Sequence, residues 1–116
     1  MIAIIFEVEP KNEFKGQYLD TAADLLPVLK EIKGFISVER FQSLTNPGKI
    51  LSLSFFEDEE AVNQWRKTEV HREAQSLGRN VFFSNYRLRI ASVIRDYGMN
   101  ERDQAPKDSR EKHGKK

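Results

Sequence analysis

The chain has 116 residues, with 19 Lys and Arg against 18 Asp and Glu, two His and no Cys. A single domain of roughly 100 residues buries a real but modest core, and a net charge of +1 gives no field to draw in nucleic acid or an anionic membrane. The lack of cysteine rules out disulfides, thiol catalysis and cysteine metal sites.

The first run, IAIIFEVE, is β-branched and apolar, then alternates, and Pro10 ends it, which predicts a strand. It has no basic flank before it and is too short to span a bilayer, so a soluble, cytoplasmic protein is expected. In NEFKGQYLDTAADLLPVLKEIKGF, the residues Tyr18, Ala22, Leu25, Leu26, Leu29 and Ile32 recur at helical spacing. Asn12 is the candidate N-cap and Gly34 the candidate stop, while Pro27 predicts a kink or restart. FISVERFQSL and KILSLSFF read as two strands joined by TNPGK, in which Pro47 and Gly48 suit the two central positions of a type II turn. EDEEAVNQWRK opens a second helix, with Asp58 as N-cap and acids in its first turn. VFFSNYRLRIASVIRDYG reads as a long strand from about Phe82 to Tyr97. The remainder, residues 99–116, holds six basic and four acidic residues and almost no apolar ones. It reads as a disordered charged tail after a domain at 1–98, with His113 solvated in it.

The order β-α-β-β-α-β is the ferredoxin-like arrangement of an α+β fold. It predicts a four-stranded antiparallel sheet with both helices on one face. The hairpin strands are apolar on both sides. Ile36 and Val38 are expected to oppose Phe35 and Phe41, and Leu51, Leu53 and Phe55 to oppose Ile50 and Phe56. Two helices cover one face only, so a second copy is expected to cover the other, sheets packed face to face. At about 16 residues the last strand exceeds the usual ~5–6, and its excess could reach such a partner.

With this topology in place, WRKTEVHREAQSLGRNVFFSNYRLRIASVIRDYG resembles the antibiotic biosynthesis monooxygenase family of dimeric α/β-barrel proteins. GFISVERFQS, the hairpin and SLSFFEDEEAVNQW follow the same family order, and the resemblance spans residues 1–98. It implies a homodimer, with a cavity between each subunit's helices and its sheet. The family includes cofactor-free oxygenases of aromatic polyketides, haem-degrading enzymes and proteins of no known activity.

The stretch holding the single Trp65 and His71 is the candidate site. Six positions on a continuous helix turn through about 240°, so the two converge only if the helix breaks. Thr68 is a candidate second N-cap with Glu69 after it, opening a short helix that runs to Leu77 and stops at Gly78. Trp65 reads as a core residue that can also wall a pocket for a flat ligand. His71 reads as a partly buried histidine or, functionally, as a general base or haem ligand. Tyr86 shares a face with Leu88 and Ile90 and is a candidate phenol donor. Ser52 and Ser54 share the face of Ile50 and Phe56 and can mark a cavity. Arg87, Arg89 and Arg95 alternate on one face of the last strand with Tyr97; they read as a solvated face or as partners of Glu7, Glu9 or Glu39. Arg66, Arg72 and Arg79 read as surface residues.

No glycine-rich phosphate loop precedes a helix, and no pair of histidines with a carboxylate suggests an iron site. The resemblance, which these absences permit, implies a cofactor-independent monooxygenase acting on a small aromatic or quinone-like substrate, with no metal. His71 would be its base, Trp65 its aromatic wall and Tyr86 its donor. Two alternatives stand beside it. One is a non-catalytic ligand-binding or assembly dimer, which the packing features fit equally well. The other is a haem-binding or haem-degrading enzyme, against which the first strand offers Phe6 and Glu7 where that branch of the family has an asparagine.

Overall fold

The computed structural model describes the backbone of residues 1–75 and 83–109, and the side chains of 1–68 and 83–109. Strand β1 (Ile2–Pro10) leads through a 3-10 turn (Asn12–Phe14) into helix α1 (Lys15–Lys30). Strands β2 (Phe35–Gln42) and β3 (Ile50–Phe56) form the hairpin, and helix α2 (Glu59–Gln75) and strand β4 (Phe83–Ser92) follow. The sheet order is β2-β3-β1-β4, antiparallel throughout. This is the α+β, ferredoxin-like sheet that the element order predicts.

The most β-branched segment, β1, holds a central position between β3 and β4. Its register sorts the sheet into two faces, because directly opposed residues lie on the same side. Ile4 faces Ser54 and Ile90, Phe6 faces Ser52 and Leu88, and Val8 faces Ile50 and Tyr86. On this side Ile4 and Phe56 pack with Leu25 and Leu29 of α1 and with Ala61 and Val62 of α2. Both helices therefore serve one face. The other face carries Ile5, Glu7, Leu51, Leu53, Phe55, Arg87 and Arg89.

Several local expectations are corrected. Asn12 does not cap α1: it starts the 3-10 turn, and the helix begins after Phe14 with no side-chain cap. Pro27 does not end or restart the helix; it removes only one amide donor, and burial of Ala22, Leu25 and Leu29 on the sheet offsets that loss. Gly34 does take the left-handed conformation, at φ 94, and an added Cβ would meet the Cβ of Ala61 at 3.0 Å. Glycine is required there because β2 must start directly beneath α2.

The hairpin turn is not type II, since Gly48 lacks the positive φ that such a turn demands. The amide of Lys49 donates to the Asn46 carbonyl at 3.0 Å and that of Gly48 to Asn46 Oδ1 at 3.0 Å, an Asx-supported turn. A register shift between Phe35 and Ser37 also reassigns faces on β2. Phe35 and Val38 both turn to the helices, and Ser37 and Phe41 turn away. Strict alternation had separated the first two; the bulge inserts one residue and reverses the phase.

Asp58 does cap α2, its Oδ1 accepting from the Ala61 amide at 2.9 Å. The helix then runs unbroken through Thr68, whose hydroxyl donates back to the Gln64 carbonyl at 3.1 Å instead of capping a new start. The expected stop at Leu77–Gly78, together with Arg79 and the first residues of the last strand, lies outside the described residues. So do the side chains of Glu69 and Arg72.

Strand β4 ends at Ser92 rather than Tyr97. Its one neighbour, β1, begins at Ile2, and the last pairing is the Val93 amide to the Met1 carbonyl at 3.0 Å. Beyond that point there is no strand to pair with, so Arg95 and Tyr97 are not ladder residues. The segment after it has more structure than its composition suggested. Within residues 99–109, Ala105 is only 4% exposed, the Asp96 amide donates to Gln104 Oε1 at 2.7 Å, and the Arg102 guanidinium stacks over Tyr97 and donates to Ser109 Oγ at 2.6 Å. His113 lies outside the described residues.

Candidate functional site

The helix-covered side of the sheet is apolar at one end and aromatic at the other. Phe35 and Phe56 meet edge to face at 5.6 Å between ring centroids. Toward the far end, Phe6 contacts Phe83 at 5.9 Å and Tyr86 at 5.8 Å, and Tyr18 from α1 closes on Phe83 at 5.5 Å. Between these clusters the central strand carries Ser52 and Ser54, two small side chains opposite Phe6 and Ile4. Ser54 is itself buried, at 5% exposure, so the small side chains are packed between the helices and the sheet.

Trp65 packs on the core cluster from α2, so its core reading holds, and its indole lies on the helix-covered side. Tyr86 lies on the same side, opposite Val8, and remains 43% exposed. His71 is in the backbone of α2, but its side chain is outside the described residues. The helix break that was to bring His71 toward Trp65 is absent. On the continuous helix the two leave the axis about 240° apart, so the structure supplies no shared face for them.

One residue escaped the sequence reading. Arg40 pairs with Ser52, and Ser52 with Phe6, so it sits on the helix-covered side of β2. Its Nε is buried and has no hydrogen-bond partner among the described residues. The signal was available, since Arg40 follows Val38 by two positions in FISVERFQ.

The opposite face carries the charge pairs. Glu7 accepts from Lys49 at 3.0 Å and is also paired with Arg89. The Lys49 ammonium first, then the Arg89 guanidinium, hold its carboxyl below the ordinary range. Of the alternatives weighed for the arginine row, Arg89 therefore takes the paired one. Glu9 takes a different partner, the side-chain amide of Asn46 at 2.8 Å, which ties the hairpin turn to β1. Among the described residues, no three of His, Asp or Glu gather as metal ligands, and no helix is long and apolar enough to cross a membrane.

Comparison with known proteins agrees with this geometry. The family model described as antibiotic biosynthesis monooxygenase matches residues 1–77. A protein of Pyricularia oryzae named jasmonate monooxygenase is 43% identical over 101 residues, covering 87% of this chain and 47% of its own length. The chain thus spans about half of that relative. A Bacillus subtilis protein, the uncharacterised YqjZ, is 30% identical over 93 residues, covering 80% of this chain and 79% of its own. Among solved structures, a mutant of MhuD with two manganese protoporphyrin IX molecules bound per active site superposes with a TM-score of 0.67 at 15% identity, covering 84% of this chain and 99% of that one.

Proposed function

The chain belongs to the antibiotic biosynthesis monooxygenase family, and on that premise we propose that it is a monooxygenase of a small aromatic or quinone-like substrate, working without a resident cofactor. The observation that carries this reading is the 43% identity to a protein named as a monooxygenase, over 87% of the chain. The site is compatible with it. Trp65 and the Phe6–Phe83–Tyr86 cluster offer flat apolar walls on the helix-covered side. We assign the donor to a developing oxyanion to Tyr86, whose phenol lies on the same side of the sheet. We keep His71 as the proposed base on the chemistry of its imidazole alone, since the continuous α2 gives it no face in common with Trp65.

The chemistry balances without an added reductant when the substrate is an acidic methylene. Loss of one proton to the base gives a carbanion, which passes an electron to dioxygen. Recombination forms a peroxide at carbon. Loss of the second C–H proton with cleavage of the O–O bond leaves a carbonyl and releases the other oxygen atom as water.

We propose, in addition, that two copies associate through their open sheet faces. Ile5, Leu51, Leu53, Phe55 and Phe41 form an apolar field there that nothing among the described residues covers. A likeness at 15% identity to a porphyrin-bound structure bears on the fold alone, so haem is not preferred.

Oxygen consumption with anthrone-like phenols and no added cofactor tests the assignment. Uptake reduced about a hundredfold or more in His71→Ala and reduced in Tyr86→Phe is expected, a hundredfold being the lower range for a lost general base. No uptake across a broad phenol panel would instead favour the non-catalytic dimer.

A further inference from the structure

We propose that Arg40 is the residue through which the helix-covered site recognises the carboxylate of an apolar organic acid. This names a substrate class for the monooxygenase site and rests on that reading for the chemistry, though not for the binding.

Three observations carry it. Register places Arg40 on the helix-covered side, level with Ser52 and Phe6. No other charged residue of the described strands shares that side. Glu7, Glu9 and Glu39 all fall on the open face, as do Arg87 and Arg89. The sheet therefore turns one cation toward the helices and no anion to meet it. Finally, the Nε of Arg40 is shut off from solvent and has no acceptor among the described residues, whereas Arg89, on the exposed face, has found Glu7.

A buried donor without an acceptor destabilises the fold, and an apolar side chain of similar shape would remove that cost. A guanidinium presents Nε and one terminal nitrogen as a fork that matches the two oxygens of a carboxylate. The neighbours carry no charge: Val38 and Gln42 on the same strand, the Gln42 amide donating to carbonyls of the hairpin turn, Ser52 and Ser54 across from it, Phe6 beyond. Such a surround suits a compact hydrophobic acid better than a phosphate, which needs more donors than one arginine. The free end of the acid would meet Arg40, and its apolar body would lie toward the rings.

Calorimetric titration of the full chain near neutral pH tests this with 2-naphthoate, cyclohexylacetate and hexanoate, each against its methyl ester. At least one acid should bind roughly tenfold or more tightly than its ester, the range expected when a charged hydrogen bond is lost. Arg40→Gln should erase that preference, and Arg89→Gln, on the other face, should leave it intact. Arg40→Leu keeps an apolar stem and removes the unpaired donor. It should erase the preference while raising the melting temperature, so it decides the matter if the glutamine variant fails to fold. Absence of any acid-over-ester preference in all three pairs, including absence of binding at millimolar ligand, overturns the proposal. So does a preference that survives loss of Arg40. An Arg40-dependent preference in a protein that consumes no oxygen keeps this inference and sinks the oxygenase. Oxygen uptake with neutral phenols and no acid preference does the reverse.

Discussion

The two faces of the sheet are built from neighbouring residues of the same strands and do different things. On the helix-covered side Phe56 is 0% exposed, and Ile4 and Val8 are equally sealed. One position away, Phe55, Leu53 and Ile5 look out from the other side beside the Glu7, Lys49 and Arg89 charges. A strand with large apolar residues on both of its sides, as β3 has, leaves no polar side to give to water. Its sequence therefore specifies two burials, one within the chain and one still to be met. The core face also carries the small side chains of Ser52 and Ser54, whereas the open face fills the same strand with leucine and phenylalanine.

The largest effect separating the faces should come from truncating their phenylalanines. Phe56→Ala removes a fully buried ring and should cost about 3–5 kcal/mol in chemical denaturation. Phe55→Ala should cost much less at low protein concentration and weaken association instead. Equal, concentration-independent losses would show that the faces are not distinct. Next in size, Leu53→Asp sets a charge in the middle of the open apolar field. By light scattering the parent should have about twice 13.5 kDa and the variant 13.5 kDa, with the circular dichroism of both alike. A parent that stays monomeric at micromolar concentration would remove the sheet-on-sheet reading.

How much of this was legible in the sequence depended on how local the signal was. The element order, the hairpin and the Asp58 cap follow from periodicity and single-residue chemistry, and they hold. The face assignment of Phe35 failed because a bulge at Phe35–Ser37 depends on how β2 meets β3, which no local pattern encodes. The helix break at Thr68 failed because a threonine hydroxyl can bond back to the carbonyl four residues earlier as readily as it can cap. The long last strand failed because strand length is fixed by the neighbour, and β1 ends first. Trp65 could be placed from its spacing after Ala61 and Val62, four and three positions earlier on α2. Arg40 was equally placeable from its register, but an arginine on an edge strand is usually solvated; a buried Nε with no partner among the described residues sets it apart from the other strand arginines, a feature it shares with Arg102 outside the sheet.

The smallest expected effect is also the one that asks where the open face goes. Glu7 is held between Lys49 and Arg89, and its carboxyl titrates below the ordinary value of 4.5 in the folded chain. The unfolded chain then binds more protons than the folded one between those two values. The contribution of Glu7 is therefore present above the unfolded value and disappears as pH falls through the folded one. Glu7→Gln should lower stability slightly at neutral pH, converge with the parent in acid, and differ less from it in high salt, which screens exposed pairs. Melting curves across pH at two protein concentrations would read this directly. In an isolated subunit the difference should be the same at both concentrations. If the open faces meet, the three charges lie at the margin of the contact and the difference should grow with concentration, because the pair then stabilises association as well as folding.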